Sequence, residues 1–222
     1  MIKKRFLLAF TLLLLIGCTV LNPAPDLAWD HSPEALIIEA TSGGGLEPEA
    51  AYRNRIPDAQ VWGNGRFIWQ TFTEDNVRQV WKAHLSEAEI HTLLQTFADK
   101  GFWQLKDHYE PKEELFDGSS TSLRVNLLAE NKRVSEYHAG APQKFHELVG
   151  LVSSGAGASG QSYVPQTGYL SLYPLESADY LEAQELPVWD AEAAATSLEA
   201  LPDGHIEGPA LEQAWAIVNR QY

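Results

Sequence analysis

Apolar and polar positions change their period several times along this chain, and each change marks an element. Residues 6–16 are apolar apart from Thr11 and follow Lys3, Lys4 and Arg5. The run is shorter than the roughly 20 residues that a membrane span needs. Its order of charge, apolar core and small residues is that of a cleaved export signal. Past Pro23, Pro25 and Pro33, residues 35–40 (ALIIEA) give a first strand, ended by Gly43, Gly44 and Gly45. The stretch DAQVWGNGRFIWQTF then sets Gly63, Asn64 and Gly65 between two aromatic and β-branched runs, the composition of a tight hairpin turn. A second turn at Glu74, Asp75 and Asn76 leads into VRQVWKAHL, so three consecutive antiparallel strands are predicted.

The period next becomes helical. Ser86 and Glu89 have the capping-box spacing. Ile90, Leu93, Leu94 and Phe97 recur on one helical face, and Gly101 stands where a left-handed residue ends the helix. The pattern predicts a helix over 87–100. Alternation returns with Leu123, Val125 and Leu127 around Arg124 and Asn126, and continues in KRVSEYH past a turn near Glu130 and Asn131. Pro142 opens another helix, with Phe145, Leu148, Val149 and Val152 on one face. The order of four strands, helix, two strands and helix predicts an α+β fold for residues 34–152. In it a three-stranded meander, a hairpin and an N-terminal strand form an antiparallel sheet with helices packed on one face. Residues 153–162 (SSGAGASGQS) read as a flexible linker. Beyond it, YLSLY alternates as a strand, Leu211, Trp215 and Val218 follow Pro209 as a last helix, and the alanine-rich stretch 190–201 suggests a short one. These make a small α/β C-terminal extension over 163–222, too short to be stable alone and expected to pack on the core domain.

The chain has 222 residues and a single cysteine, so no structural disulfide can form within it. Its 16 basic and 30 acidic residues give a net charge of −14, and removal of Lys3, Lys4 and Arg5 leaves 13 basic residues and a charge near −17. Such a surface repels phosphate backbones, which argues against nucleic acid as a partner. There is no glycine-rich phosphate loop and no dinucleotide fingerprint. No cofactor is expected.

Residues 15–18 (LIGC) resemble the lipobox of bacterial lipoproteins. That resemblance implies a signal peptide over 1–17, cleavage before Cys18 and a diacylglycerol on its thiol, with residues 18–33 as a tether. Two or more acyl chains anchor a protein stably without any other membrane element. The residue after the cysteine is Thr19 rather than the aspartate that retains such proteins at an inner membrane. The resemblance therefore implies the outer membrane or the outer face of the cell membrane. More widely, the chain resembles an uncharacterised group of exported bacterial lipoproteins and their domain of unknown function. The resemblance rests on residues 85–89 (LSEAE), Gly101, Phe102, Trp103, Tyr109, Asp117, Thr121, the pair LRVNL and KRVSEY, and residues 140–142 (GAP). Ile206, Glu207, Gly208, Ala214, Trp215 and Asn219 extend it into the tail. It spans roughly residues 35–152 and implies no activity.

Four tryptophans, Trp62, Trp69, Trp81 and Trp103, are the candidate binding residues. Three fall in consecutive predicted strands, and aromatic faces bind sugars and peptides at low entropy cost. The alternative is that they form the core beneath the helices. Residues 107–117 gather Asp107, Glu110, Glu113, Glu114 and Asp117, yet their spacing fits no calcium loop. His108 and Tyr109 have no partner base that the sequence identifies. His146 and Glu147 begin like a zinc-protease helix, but Gly150 occupies the place of the second histidine. His146 is accordingly expected on a helix surface, and no metal site is expected. Ser159 and Ser162 both lack one glycine of a hydrolase elbow. The expected function is a lipid-anchored cell-envelope lipoprotein acting as a non-catalytic binding or interaction module, with an envelope protein or glycan as partner. The alternatives are an envelope hydrolase drawing on Asp107, His108, Glu110 and Asp117, and an assembly or scaffold lipoprotein.

Overall fold

The computed structural model of the protein describes residues 24–45, 55–75, 77–111, 116–170, 188–200 and 204–219. Cys18 and its signal, Asn76, Glu113 and Glu114 of the acidic loop, and most of YLSLY lie outside the described residues.

The predicted elements form in the predicted order, joined by two short strands that the pattern does not predict, one at residues 108–109 in the acidic loop and one at residues 161–162 at the end of the expected linker. They are β1 (Leu36–Gly44), β2 (Ala59–Trp62), β3 (Arg66–Phe72), β4 (Arg78–His84), α1 (Glu87–Asp99), β5 (His108–Tyr109), β6 (Ser119–Asn126), β7 (Asn131–Tyr137), α2 (Gln143–Ser153) and β8 (Gln161–Ser162). All eight strands join one sheet in the order β5-β7-β6-β1-β2-β3-β4-β8, antiparallel except for the parallel pair β5–β7. The fold is therefore α+β, with helices packed alongside a largely antiparallel sheet. The meander β2–β3–β4 and the hairpin β6–β7 do not touch as neighbouring strands. β1 lies between them and pairs with both, through Ala40↔Ala59 on one side and Ala40↔Leu123 on the other.

Cross-strand partners share a sheet face, so the register sorts the side chains. Val134, Leu123, Ala40, Ala59, Trp69 and Trp81 make one continuous row, and Val125, Ile38, Val61, Phe67 and Ala83 make the next. Against this face lie Ile90, Leu93, Leu94 and Phe97 of α1 and Phe145, Leu148 and Val152 of α2, all buried in one core. The capping box is formed, with Glu89 Oε2 accepting from the Ser86 amide at 2.7 Å and the Glu89 amide donating to Ser86 Oγ at 3.3 Å.

Two stretches that composition marks as loose are built into the fold. Trp29, within the expected tether, is buried, donates from Nε1 to the Gly63 carbonyl at 3.2 Å, and is followed by Asp30, whose carbonyl leaves no room for a Cβ on Gly63. The glycine-rich stretch after α2 is a strap rather than a spacer. A Cβ on Gly155 or Gly160 would stand 2.7 or 2.5 Å from the Trp69 indole, so the small residues let backbone close over the ring before the chain enters β8. Glycine-rich composition leaves a segment free only when nothing packs against it.

In the C-terminal part, β9 (Thr167–Tyr169) and β10 (His205–Glu207) pair antiparallel and lead into α3 (Gly208–Val218), opened by Pro209. Ala194, Ile206, Ala210, Leu211 and Ala214 form a small cluster of their own. The part meets the main sheet where the Arg78 amide donates to the Asn219 carbonyl at 3.0 Å and the Tyr163 amide to Val80 at 2.8 Å. The alanine-rich stretch from 190 forms turns and a 3-10 turn over Leu198–Ala200, not an α-helix. Asp190 Oδ1 accepts from the amides of Glu192 and Ala193, and the Trp189 indole donates to the Thr196 carbonyl, so local side chains claim the groups a helix would use.

Candidate functional site

The four tryptophans do not share a face. Trp69 is buried beneath the strap, and Trp81 stands directly across from it, half-buried, donating from Nε1 to Thr71 Oγ1 at 2.8 Å. Trp103 sits on the 3-10 turn after α1, its ring edge-on to Phe102 at 5.5 Å. Trp62 alone of the four is on the opposite side of the sheet, half-buried, with the Arg66 guanidinium 4.0 Å from its ring centre.

That opposite side is polar. A row runs across it from Arg133 through Arg124, Glu39, Gln60 and Ile68 to Lys82. Gln60 donates to Glu39 at 2.9 Å, and Arg124 lies 3.8 Å from the same carboxylate. Two residues along on the same face, Thr41 and Ser122 share a hydrogen bond at 2.8 Å, and Arg133 Nη2 donates to Ser122 Oγ at 3.3 Å. These groups hold one another in place.

The acidic loop enters the sheet at its edge. β5 places His108 beside Ser135 of β7, and the Ser135 amide donates to the Asp107 carbonyl at 2.9 Å. His108 Nδ1 is then 2.9 Å from Ser135 Oγ, and Nε2 is 3.3 Å from Glu110 Oε1. Ser135 Oγ is also 3.1 Å from the Asp107 carbonyl. Lys132, its side chain only 11% exposed, meets Asp107 Oδ1 at 2.9 Å. Asp107, Glu130, Asn131, Lys132, Arg133 and Ser135 line an open cleft of about 680 Å³. Of the acidic loop's candidates, Asp107, His108 and Glu110 come together here, while Asp117 turns its backbone over Gly45 at the end of β1. Ser135 is the member that sequence reasoning did not single out. Its alternation shows its face, but only the pairing with β5, 27 residues away, brings a histidine to it.

His146 is half-buried rather than a plain surface residue. Its Nδ1 is 3.3 Å from Glu136 Oε1 and its Nε2 is 3.2 Å from the Ala141 carbonyl, while Glu136 Oε2 takes the Ala141 amide at 2.9 Å. The pair braces the entry to α2. Among the described residues no three His, Cys, Asp or Glu side chains converge as a metal site. Elsewhere, burial lowers the Arg78 pKa against the opposing pull of Asp58, and Lys100 holds the Glu147 carboxyl below the usual carboxylate range.

A comparison with protein families places an uncharacterised domain, a domain of unknown function designated DUF6438, over residues 56–154. That is the class of protein the fold supports: a carrier of an α+β domain with no assigned molecular activity. No curated protein matches the chain. The matched stretch holds β2 to β7, α1 and α2 but stops short of β1, the strand that joins the two halves of the sheet. The structural unit is therefore longer than the match.

Proposed function

We propose that this chain is an exported envelope lipoprotein, held to a membrane by lipid on Cys18, whose sheet presents a binding face to an envelope glycan. The observation that carries the reading is the polar row from Arg124 through Glu39 and Gln60 to Lys82, bordered by Trp62 and lying on the side of the sheet away from α1 and α2. The row mixes cation, carboxylate and amide, which suits hydroxyl-rich sugars better than a polyanion. Arg124, Glu39 and Gln60 are already held to one another, so little ordering of these side chains remains to be done on binding. Trp62 offers an aromatic ring at the rim of that row, the group sugars stack upon. The face binds rather than reacts: none of its side chains pairs a nucleophile with a base.

Titration of the full chain with soluble fragments of envelope glycan tests this by intrinsic fluorescence. A saturable change that disappears in Trp62→Phe is expected. Absence of any change, or a change that survives in Trp62→Phe, removes the glycan face. The anchor is tested separately by Cys18→Ser, which is expected to abolish signal cleavage and partitioning into detergent. Unchanged partitioning would exclude the lipid.

A further inference from the structure

At the sheet edge, three side chains stand in the order a serine hydrolase requires. We propose that Ser135 is a nucleophile, His108 its general base and Glu110 the residue that orients the base, acting on small acyl esters carried by a polar alcohol. This goes beyond the proposed glycan row from Arg124 to Lys82, which it adjoins through Arg133 and Ser122.

Proton positions follow from the partners. Glu110, when ionised, only accepts hydrogen bonds, so His108 Nε2, 3.3 Å from its Oε1, carries the proton of the neutral ring. Nδ1 is then left with its lone pair, and it is this nitrogen that lies 2.9 Å from Ser135 Oγ. The Ser135 hydroxyl can donate to Nδ1 or to the Asp107 carbonyl at 3.1 Å, and the shorter contact is the productive one. A hydroxyl-to-imidazole-to-carboxylate chain of this kind is recognised by geometry and roles rather than by sequence position. Here the two ring nitrogens exchange their more common places. Gly140 packs directly against the Glu110 backbone, where a Cβ would stand 2.8 Å away, which steadies the loop that carries the carboxylate.

Positive charge lies close by in an otherwise acidic chain. Ser122 sits directly opposite Ser135 in the register, and Arg133 Nη2 donates to Ser122 Oγ at 3.3 Å. That guanidinium is placed to stabilise an oxyanion developing above Ser135. In the first step Ser135 Oγ bonds to the acyl carbon while its proton passes to His108 Nδ1. The oxyanion then collapses, the carbon–oxygen bond to the alcohol breaks, and the alcohol leaves with the proton from Nδ1. Water attacks the acyl-serine with His108 again as base, releasing the carboxylic acid and restoring Ser135. One ester and one water give one acid and one alcohol.

The surroundings define the substrate class. The adjoining cleft is lined by Asp107, Glu130, Asn131, Lys132 and Arg133, polar side chains that suit the carrier alcohol. None of these residues offers an apolar slot for a long acyl chain, so the acyl group is short. His108 and Glu110 are 54% and 73% exposed, which leaves the serine open to an ester borne on a large molecule and to the water of the second step.

The test is labelling of the full chain by a fluorophosphonate, with peptide mapping by mass spectrometry. A phosphonyl adduct on Ser135 is expected. His108→Ala should slow it by about 10²-fold or more, the size of a general-base contribution. Glu110→Gln should slow it less and shift the pH profile, a change that a merely structural role would not produce. Thermal melting of each variant checks that the fold is intact. Failure of Ser135 to label under conditions that label a known serine hydrolase would overturn the proposal. So would equal labelling of Ser119, Ser120 and Ser135, or an unchanged rate in His108→Ala, because either would show an accessible serine without a base.

Discussion

The two faces of the sheet are built from the same strands and differ at every alternate residue. On one, Leu123, Ala40, Ala59 and Trp69 lie in a row under two helices, and every one of them is buried. On the other, Arg124, Glu39 and Gln60 lie in the next row and bond laterally to one another. The covered face specifies the fold through burial, whereas the polar face keeps its side chains in contact with solvent and is less constrained by packing. β1 serves both, with Ile38 and Ala40 on one side and Glu39 on the other.

The largest effect should come from removing β1. A chain limited to residues 56–154 keeps the meander and the hairpin but loses the strand that pairs with each, so both faces are cut in two. It is expected to show no cooperative thermal transition, whereas a chain from residue 24 to 222 melts in one step by circular dichroism. Cooperative melting of 56–154 would show that the helices alone can hold the two half-sheets together.

Adjacent residues on β6 give the sharpest contrast between faces. Leu123→Ala should cost about 2–5 kcal/mol in chemical denaturation, because a fully buried side chain is replaced by a cavity. Arg124→Ala, one residue on, should cost less than about 1 kcal/mol, since its ion pair with Glu39 is partly exposed. Equal costs would mean that the polar face is as important to folding as the covered one. Next comes the strap. Gly155 has φ +86° and its missing Cβ would meet Trp69, so Gly155→Ala should cost about 1–3 kcal/mol and move Trp69 fluorescence. No spectral change would mean that the strap does not seal the covered face.

How much of this was legible depended on whether a feature is local. The capping box at Ser86 and Glu89, the helical face of Ile90, Leu94 and Phe97, and the alternation of Leu123 with Arg124 are set by neighbours in sequence, and the structure has them where the pattern puts them. The place of β1 between β2 and β6 is not local, since a strand candidate says nothing about its partners. Gly155 and Gly160 read as spacer because their composition is that of a linker, and only the ring of Trp69, far away in sequence, gives them a packing role. The tryptophans illustrate the same limit. Alternation groups Trp62 with Gln60 and Trp69 with Phe67, but only the strand register sets the two groups on opposite faces and puts Trp81 across from Trp69. At the edge, His108 and Glu110 were visible as chemistry without a partner. Their partner Ser135 lies on a strand whose parallel pairing with β5 leaves no mark in either segment.

The smallest effect belongs to the tie between the helices that roof the covered face. Lys100, at the end of α1, pairs with Glu147 of α2, and this contact lowers the Glu147 pKa. A carboxyl lowered in the folded state adds stability that is fully present above its unfolded pKa and is lost as pH falls through the folded value. Glu147 is exposed, so water and salt screen most of that contribution. Glu147→Gln should therefore lower the melting temperature at neutral pH by less than any variant above. The difference from the parent should shrink as salt rises, and vanish in acid once the parent carboxyl is protonated. A difference that persists unchanged in acid would show that Glu147 acts through packing, and the tie would then belong with the buried contacts of the covered face instead of with its solvated roof.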